Sequence, residues 1–171
     1  MKIISLFGYS GSGKTHIIKI FIKKLKEQLN YEIAVIKNVH KHKIDEEGKD
    51  SFLFSQAGAN YSIIKNQINE YAIFFKTDMN IEDLIKWIED GPLKVDLIII
   101  EGFRDLSYPA ILCVKNFSEI EPQLSSNVKM ISGLIVKQVN KLEYKNKIPI
   151  VDISKEFQTF LEIFDISQKD E

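Results

Sequence analysis

Apolar and polar positions alternate along this chain in two distinct rhythms. The run Ile3-Ile4-Ser5-Leu6-Phe7 predicts a first strand over about 2–7. Ile18, Phe21, Ile22, Leu25 and Leu29 then recur at helical spacing, which predicts a helix over about 14–29. Lys19, Lys23, Lys26 and Glu27 fall on its opposite, solvated face. A second strand is expected over about 32–37, followed by a polar loop over 38–49. Asp50 or Ser51 is placed to cap a short helix through Gln56 that Gly58 stops. Tyr61–Lys65 and Tyr71–Phe75, joined by a polar turn, read as a β-hairpin. Asn80 is a good cap for a helix carrying Ile81, Leu84, Ile85 and Ile88 on one face, and Gly91-Pro92 ends it.

The stretch 95–100 is almost wholly apolar, which suits a central strand buried on both faces. Further strands are predicted over 110–114, 130–137 and 148–151, with a polar, proline-containing connection over 118–127. Ser154 is expected to cap a last helix with Phe157, Phe160, Leu161 and Phe164 on one face, and the tail 167–171 to fray. Strands mixed with helices in this order predict an α/β fold with a mainly parallel central sheet, flanking helices and a β-hairpin insertion. The length suits a single domain over 1–171.

Residues 8–15, Gly8-Tyr9-Ser10-Gly11-Ser12-Gly13-Lys14-Thr15, supply the chemistry. This is a complete G-x-x-x-x-G-K-[ST] phosphate-binding loop, placed between a predicted strand and a predicted helix as in a P-loop NTPase. Glycines let successive N–H groups turn inward on phosphate oxygens, and the helix adds its unpaired first-turn amides. Lys14 is positioned to reach the β- and γ-phosphates, and the Thr15 hydroxyl to hold Mg²⁺.

In a parallel sheet, ligands bind at the carboxyl ends of the strands. Glu101 ends the strand Ile98-Ile99-Ile100, so it should face the nucleotide. There it can hold Mg²⁺, directly or through water, or orient an attacking water. Asp96 begins the same strand and should point to the far end. Asp45, Glu46 and Glu47 lie in the loop after the second strand. Any of them could add a second metal ligand, Asp45 being the first choice, and a solvated acidic turn is the competing reading. His40 and His42 flank Lys41, but no Cys or His cluster completes a zinc set, and anion contact by a basic loop over 37–43 is the simpler reading. His16 reads as a packing or surface residue. Arg104, the only arginine, sits just beyond Glu101 as an anion contact or a surface ion pair.

A net charge of -1 gives no support to bulk attraction to nucleic acid or anionic membrane. One cysteine, Cys113, excludes an intrachain disulfide. It suits a reducing cytoplasm and reads as buried packing. No apolar stretch approaches bilayer-spanning length, and the first strand leaves no room for a signal peptide. No Asn-Lys-x-Asp guanine-reading motif is present, the nearest stretch being 135–140, so the residues alone do not separate ATP from GTP.

Three segments together carry a resemblance: Gly8–Thr15, then Val35-Ile36-Lys37 through Gly48-Lys49-Asp50-Ser51 to Ala57-Gly58-Ala59, then Asp96–Arg104. In these the chain resembles the molybdopterin-guanine dinucleotide biosynthesis adaptor family, MobB. The resemblance covers roughly the first two thirds. It implies a GTP-binding adaptor in molybdenum cofactor biosynthesis, with weak hydrolysis at most. It also implies a homodimer working with a MobA-type nucleotidyltransferase that attaches GMP to molybdopterin. Carried over, it puts GTP and Mg²⁺ on Gly8, Ser10, Gly11, Ser12, Gly13, Lys14 and Thr15, with Glu101 as the acidic strand end. Asn38 and Lys41 stand where the family commonly has histidines. A small P-loop kinase or nucleotide-dependent ligase is the alternative, and the lack of an arginine-rich lid counts against a nucleoside-type kinase.

Overall fold

The computed structural model describes residues 1–138, 143–144 and 148–169. Positions 139–140 of the stretch compared with a guanine-reading motif, and 170–171 of the expected frayed tail, lie outside them. In chain order the elements are β1 (Lys2–Phe7), α1 (Lys14–Leu29), β2 (Ile33–Lys37), α2 (Asp50–Gln56), β3 (Tyr61–Lys65), β4 (Tyr71–Phe75) and α3 (Ile81–Glu89). There follow β5 (Leu97–Glu101), β6 (Ala110–Val114), β7 (Val128–Gly133), β8 (Glu143–Tyr144), β9 (Ile148–Pro149) and α4 (Phe157–Ile163). The chain divides into two compact units, one formed by Met1–Asn38 with Glu89–Glu171 and the other by Val39–Ile88.

The first unit is built on a five-stranded sheet in the order β2-β5-β1-β6-β7, every pairing parallel. Alternation along the strands sorts the apolar side chains to two faces. Ile4, Leu6, Leu97, Ile99, Ile111 and Cys113 join one cluster with α1 and α4. In that layer the Phe21 and Phe160 rings lie 4.2 Å apart. Phe7, Ala110, Leu112, Val114 and Ile131 join the second cluster, completed by Ile120, between two short 3₁₀ segments, and by Ile135 within a third. The mainly parallel α/β architecture with flanking helices follows.

The second unit holds α2, the antiparallel β3–β4 hairpin and α3. The hairpin occupies the strands read from the sequence. Asn66 Oδ1 closes its turn by accepting from the Ile68 and Glu70 amides. Asn80 caps α3 through a 2.8 Å bond from the Asp83 amide. After α2, Gly58 adopts φ 105°, and the Gly58 and Ala59 amides return to Ser55 and Phe54 carbonyls.

Four local expectations are corrected. The strand expected over 130–137 begins at Val128 and stops at Gly133, and Leu134–Lys137 is a 3₁₀ turn. The apolar run continues because Ile135 is core, but the chain must bend past the phosphate loop. The strand expected over 95–100 is shifted to Leu97–Glu101. Neither Asp50 nor Ser51 caps α2: Lys49 is the cap position, and Ser51 donates to Asp45. Ser154 does not cap α4 either. Its hydroxyl and amide both go to Asp152 Oδ1, forming a tight turn before Glu156 opens the helix.

Candidate functional site

Gly8–Thr15 links β1 to α1 at the carboxyl end of the sheet. Gly8, Gly11 and Gly13 take φ of 148°, 75° and 98°. Gly8 shows why this loop needs glycine. A Cβ there would sit 2.0 Å from the Cys113 carbonyl oxygen, so the loop lies directly on the end of β6. Lys14 Nζ donates to the Gly8 and Tyr9 carbonyls at 2.9 and 3.0 Å, which holds the ammonium at the loop. Ser12 is fully buried, and its Oγ has no hydrogen-bond partner among the described residues. A buried, unpaired hydroxyl is costly unless a ligand satisfies it. Left-handed glycines and an orphaned hydroxyl fit a bound phosphate chain.

Glu101 closes β5 in register with Leu6 of β1 and Lys37 of β2. It is only 6% exposed. Both carboxylate oxygens meet Lys37 Nζ, at 3.2 and 3.1 Å. The acid expected at the strand end is therefore there, but paired. Lys37 was visible only as part of a basic loop. Pairing across neighbouring strands depends on register, which no linear motif reports. Arg104 Nη2 donates to Gln123 Oε1 at 3.1 Å, and its guanidinium lies 5.0 Å from the centre of the Tyr9 ring. It is thus attached to the phosphate loop itself.

Two further residues support the loop. Gly133 has φ 102°, and a Cβ on it would come 2.5 Å from the Ser12 carbonyl oxygen and 2.7 Å from that of Val114. Beside it the Leu134 amide donates to the Ser12 carbonyl at 3.2 Å. Lys115, just after β6, brings its Cε within 3.5 Å of where a Gly11 Cβ would be. The signal for Gly133 was a glycine inside a predicted strand, which marks a bend or a close backbone approach. For Lys115 there was none.

Other candidates stand apart. Asp96 lies before β5, accepts from the Glu32 amide at 2.7 Å and pairs with Lys169 at 2.6 Å. Burial works to raise its carboxyl, but the Lys169 contact and the Glu32 amide outweigh it and hold it below the usual range. Burial pushes the Cys113 thiol up to about 12, so it is no nucleophile. His16 is exposed on α1. In the second unit Asp45 is buried. It accepts from Ser51 Oγ at 2.7 Å and pairs with Lys76 at 3.2 Å. His40 and His42 are exposed. Among the described residues, no cluster of three or more His, Cys, Asp or Glu side chains is arranged to hold a metal. No helix among them is long and apolar enough to cross a membrane.

Parallel sheet, phosphate loop and strand-end acid define a P-loop NTPase-type α/β protein. A family model, Molybdopterin guanine dinucleotide synthesis protein B, matches residues 3–137. A putative molybdopterin-guanine dinucleotide biosynthesis adapter protein of Methanocaldococcus jannaschii is 31% identical over 121 residues, 68% of this chain and 48% of that protein. The adapter protein of Haemophilus influenzae is 34% identical over 112 residues, 64% of this chain and 61% of that one. The chain thus matches about half to three fifths of these relatives' length. The crystal structure of Bacillus subtilis MobB shares the fold, with a TM-score of 0.76 at 22% identity, covering 98% of this chain and all of that one. The chain belongs to the MobB family.

Proposed function

We propose that this protein is a GTP-binding adaptor in molybdopterin guanine dinucleotide biosynthesis, acting in the cytoplasm beside a MobA-type nucleotidyltransferase. The observation that carries the reading is the Gly8–Thr15 loop, with its three left-handed glycines and the unpaired Ser12 hydroxyl, in a chain of this family. Gly8, Ser10, Gly11, Ser12 and Gly13 wrap the phosphates, and Lys14 exchanges its two carbonyl partners for phosphate oxygens. Thr15 and Glu101 would hold Mg²⁺, which would neutralise phosphate charge, with Glu101 giving up its Lys37 partner to do so. Hydrolysis is weak at most, as the resemblance to the family implies.

The protein works as a homodimer. The outer hairpin face supports this: Tyr61, Ile63 and Tyr71 are 57%, 56% and 62% exposed on one side of a two-stranded sheet. Molybdopterin and the nucleotidyltransferase are its partners.

Equilibrium GTP binding with and without Mg²⁺ tests the nucleotide part, with Lys14→Ala as the control. That variant should lose at least about tenfold in affinity, as expected for removing a charge-assisted contact. Unchanged binding would remove Lys14 from the site. Co-purification with the nucleotidyltransferase, strengthened by GTP, tests the adaptor part, and no association in either condition would overturn it.

A further inference from the structure

Consecutive residues at the end of β6 meet the phosphate loop and its support. The Cys113 carbonyl lies against Gly8. The Val114 amide and carbonyl lie against Gly133, which itself abuts Ser12. Lys115 comes next, and it brings a side chain rather than backbone. Its Cε and Nζ stand 3.5 and 3.7 Å from where a Gly11 Cβ would be. The stem of this residue is fixed. Its amide donates to Glu119 Oε2 at 2.9 Å, and its carbonyl accepts from Gln138 Nε2 at 3.0 Å. The strand ahead of it is buried at every position. A rigid element therefore carries the side chain to the loop.

The head group is held by no other residue. Lys14 Nζ donates to the Gly8 and Tyr9 carbonyls, and Lys37 Nζ meets Glu101. Among the described residues, the Lys115 ammonium makes no hydrogen bond or ion pair, although the Glu119 carboxylate bonds its backbone. An ammonium offers donors and no acceptor, so it must be answered by oxygen. Lys115 is half-buried, and Ser12, the residue after Gly11, holds a buried hydroxyl that also has no partner. Two unanswered polar groups thus fall on adjacent positions of one loop. A phosphate chain supplies acceptors for both. Charge points the same way, because a fully ionised triphosphate carries more charge than one lysine and one divalent cation neutralise.

We infer that Lys115 is a second phosphate-binding lysine, which holds the phosphate chain at Gly11 while Lys14 holds it from the Gly8–Tyr9 side. This deepens the GTP reading above and rests on it.

The test is equilibrium binding of GTP and of inorganic tripolyphosphate to the intact protein, native and with Lys115→Ala or Lys115→Arg. Lys115→Ala should weaken both ligands by at least about tenfold, as expected for loss of a charge-assisted contact. Lys115→Arg keeps the charge and should recover most of both affinities. The gap between native and Lys115→Ala should narrow as salt is raised, because the attraction is screened. The urea midpoint of Lys115→Ala should stay unchanged, since Glu119 and Gln138 bond the backbone whatever the side chain. Unchanged affinity in Lys115→Ala overturns the inference and leaves Lys14 and its loop standing. A loss confined to GTP, or one that Lys115→Arg shares in full, overturns it too, because the side chain then contacts the nucleoside or only packs the loop. Failure of the native chain to bind either ligand removes the nucleotide reading and this one with it.

Discussion

The two units solve the burial problem in opposite ways. In the first, every residue of β5 and β6 is buried, and apolar layers cover both faces of much of the sheet. In the second, the hairpin leaves most of its side chains exposed, and the buried positions of the unit include Asp45, Ser51 and Ser62. A parallel sheet needs cover on both faces, which yields a rigid platform for a phosphate loop. A lone hairpin is marginal in water, so its apolar face makes sense as a surface awaiting a partner. Stability should therefore reside in the first unit and association in the second.

Removing the largest buried rings should separate the two most. Phe160→Ala, at a fully buried position packed against Phe21, should cost about 3–5 kcal/mol in urea unfolding. Tyr61→Ser with Ile63→Ser on the hairpin should change that value by less than about 1 kcal/mol while shifting the mass measured by light scattering toward the monomer. A large stability loss in the hairpin variant would erase the contrast.

Two glycines sharpen it next. Gly133→Ala drives a Cβ into two carbonyl oxygens at positive φ, and should cost about 3 kcal/mol or more and weaken nucleotide binding with it. Gly58→Ala has positive φ too, but open space around it, so about 1 kcal/mol is expected. Equal costs would mean that β7 yields where its packing says it should not.

The smallest effect is electrostatic. Asp96 has a lower carboxyl pKa folded than unfolded. Between the two values the unfolded chain binds more protons, so stability rises with pH there and is lost as pH falls below about 4. Asp96→Asn should remove about 1 kcal/mol of that acid-sensitive part, seen as a flatter pH profile of the unfolding midpoint. The Lys43–Glu47 pair of the second unit is exposed, and Lys43→Ala should leave the profile unchanged.

Periodicity made β1, α1, the hairpin and β6 legible to the residue or nearly so, because each carries its own apolar rhythm. It misread Leu134–Lys137, where apolar residues continue while the backbone must turn at Gly133. It also misread Ser154, since a serine before a helix can bond a neighbouring carboxylate instead of the first turn. The phosphate loop was legible because its chemistry lies within eight consecutive residues. The Glu101–Lys37 pair and the Gly133 contact on Ser12 were not.

The sequence by itself determined the class of fold, the phosphate loop and the acid at a strand end, because short-range spacing and backbone requirements specify all three. Only the tertiary structure decided what that acid pairs with and which glycine lets β7 approach the loop. Those follow from strand order and register, which bring residues a hundred positions apart to one end of the sheet.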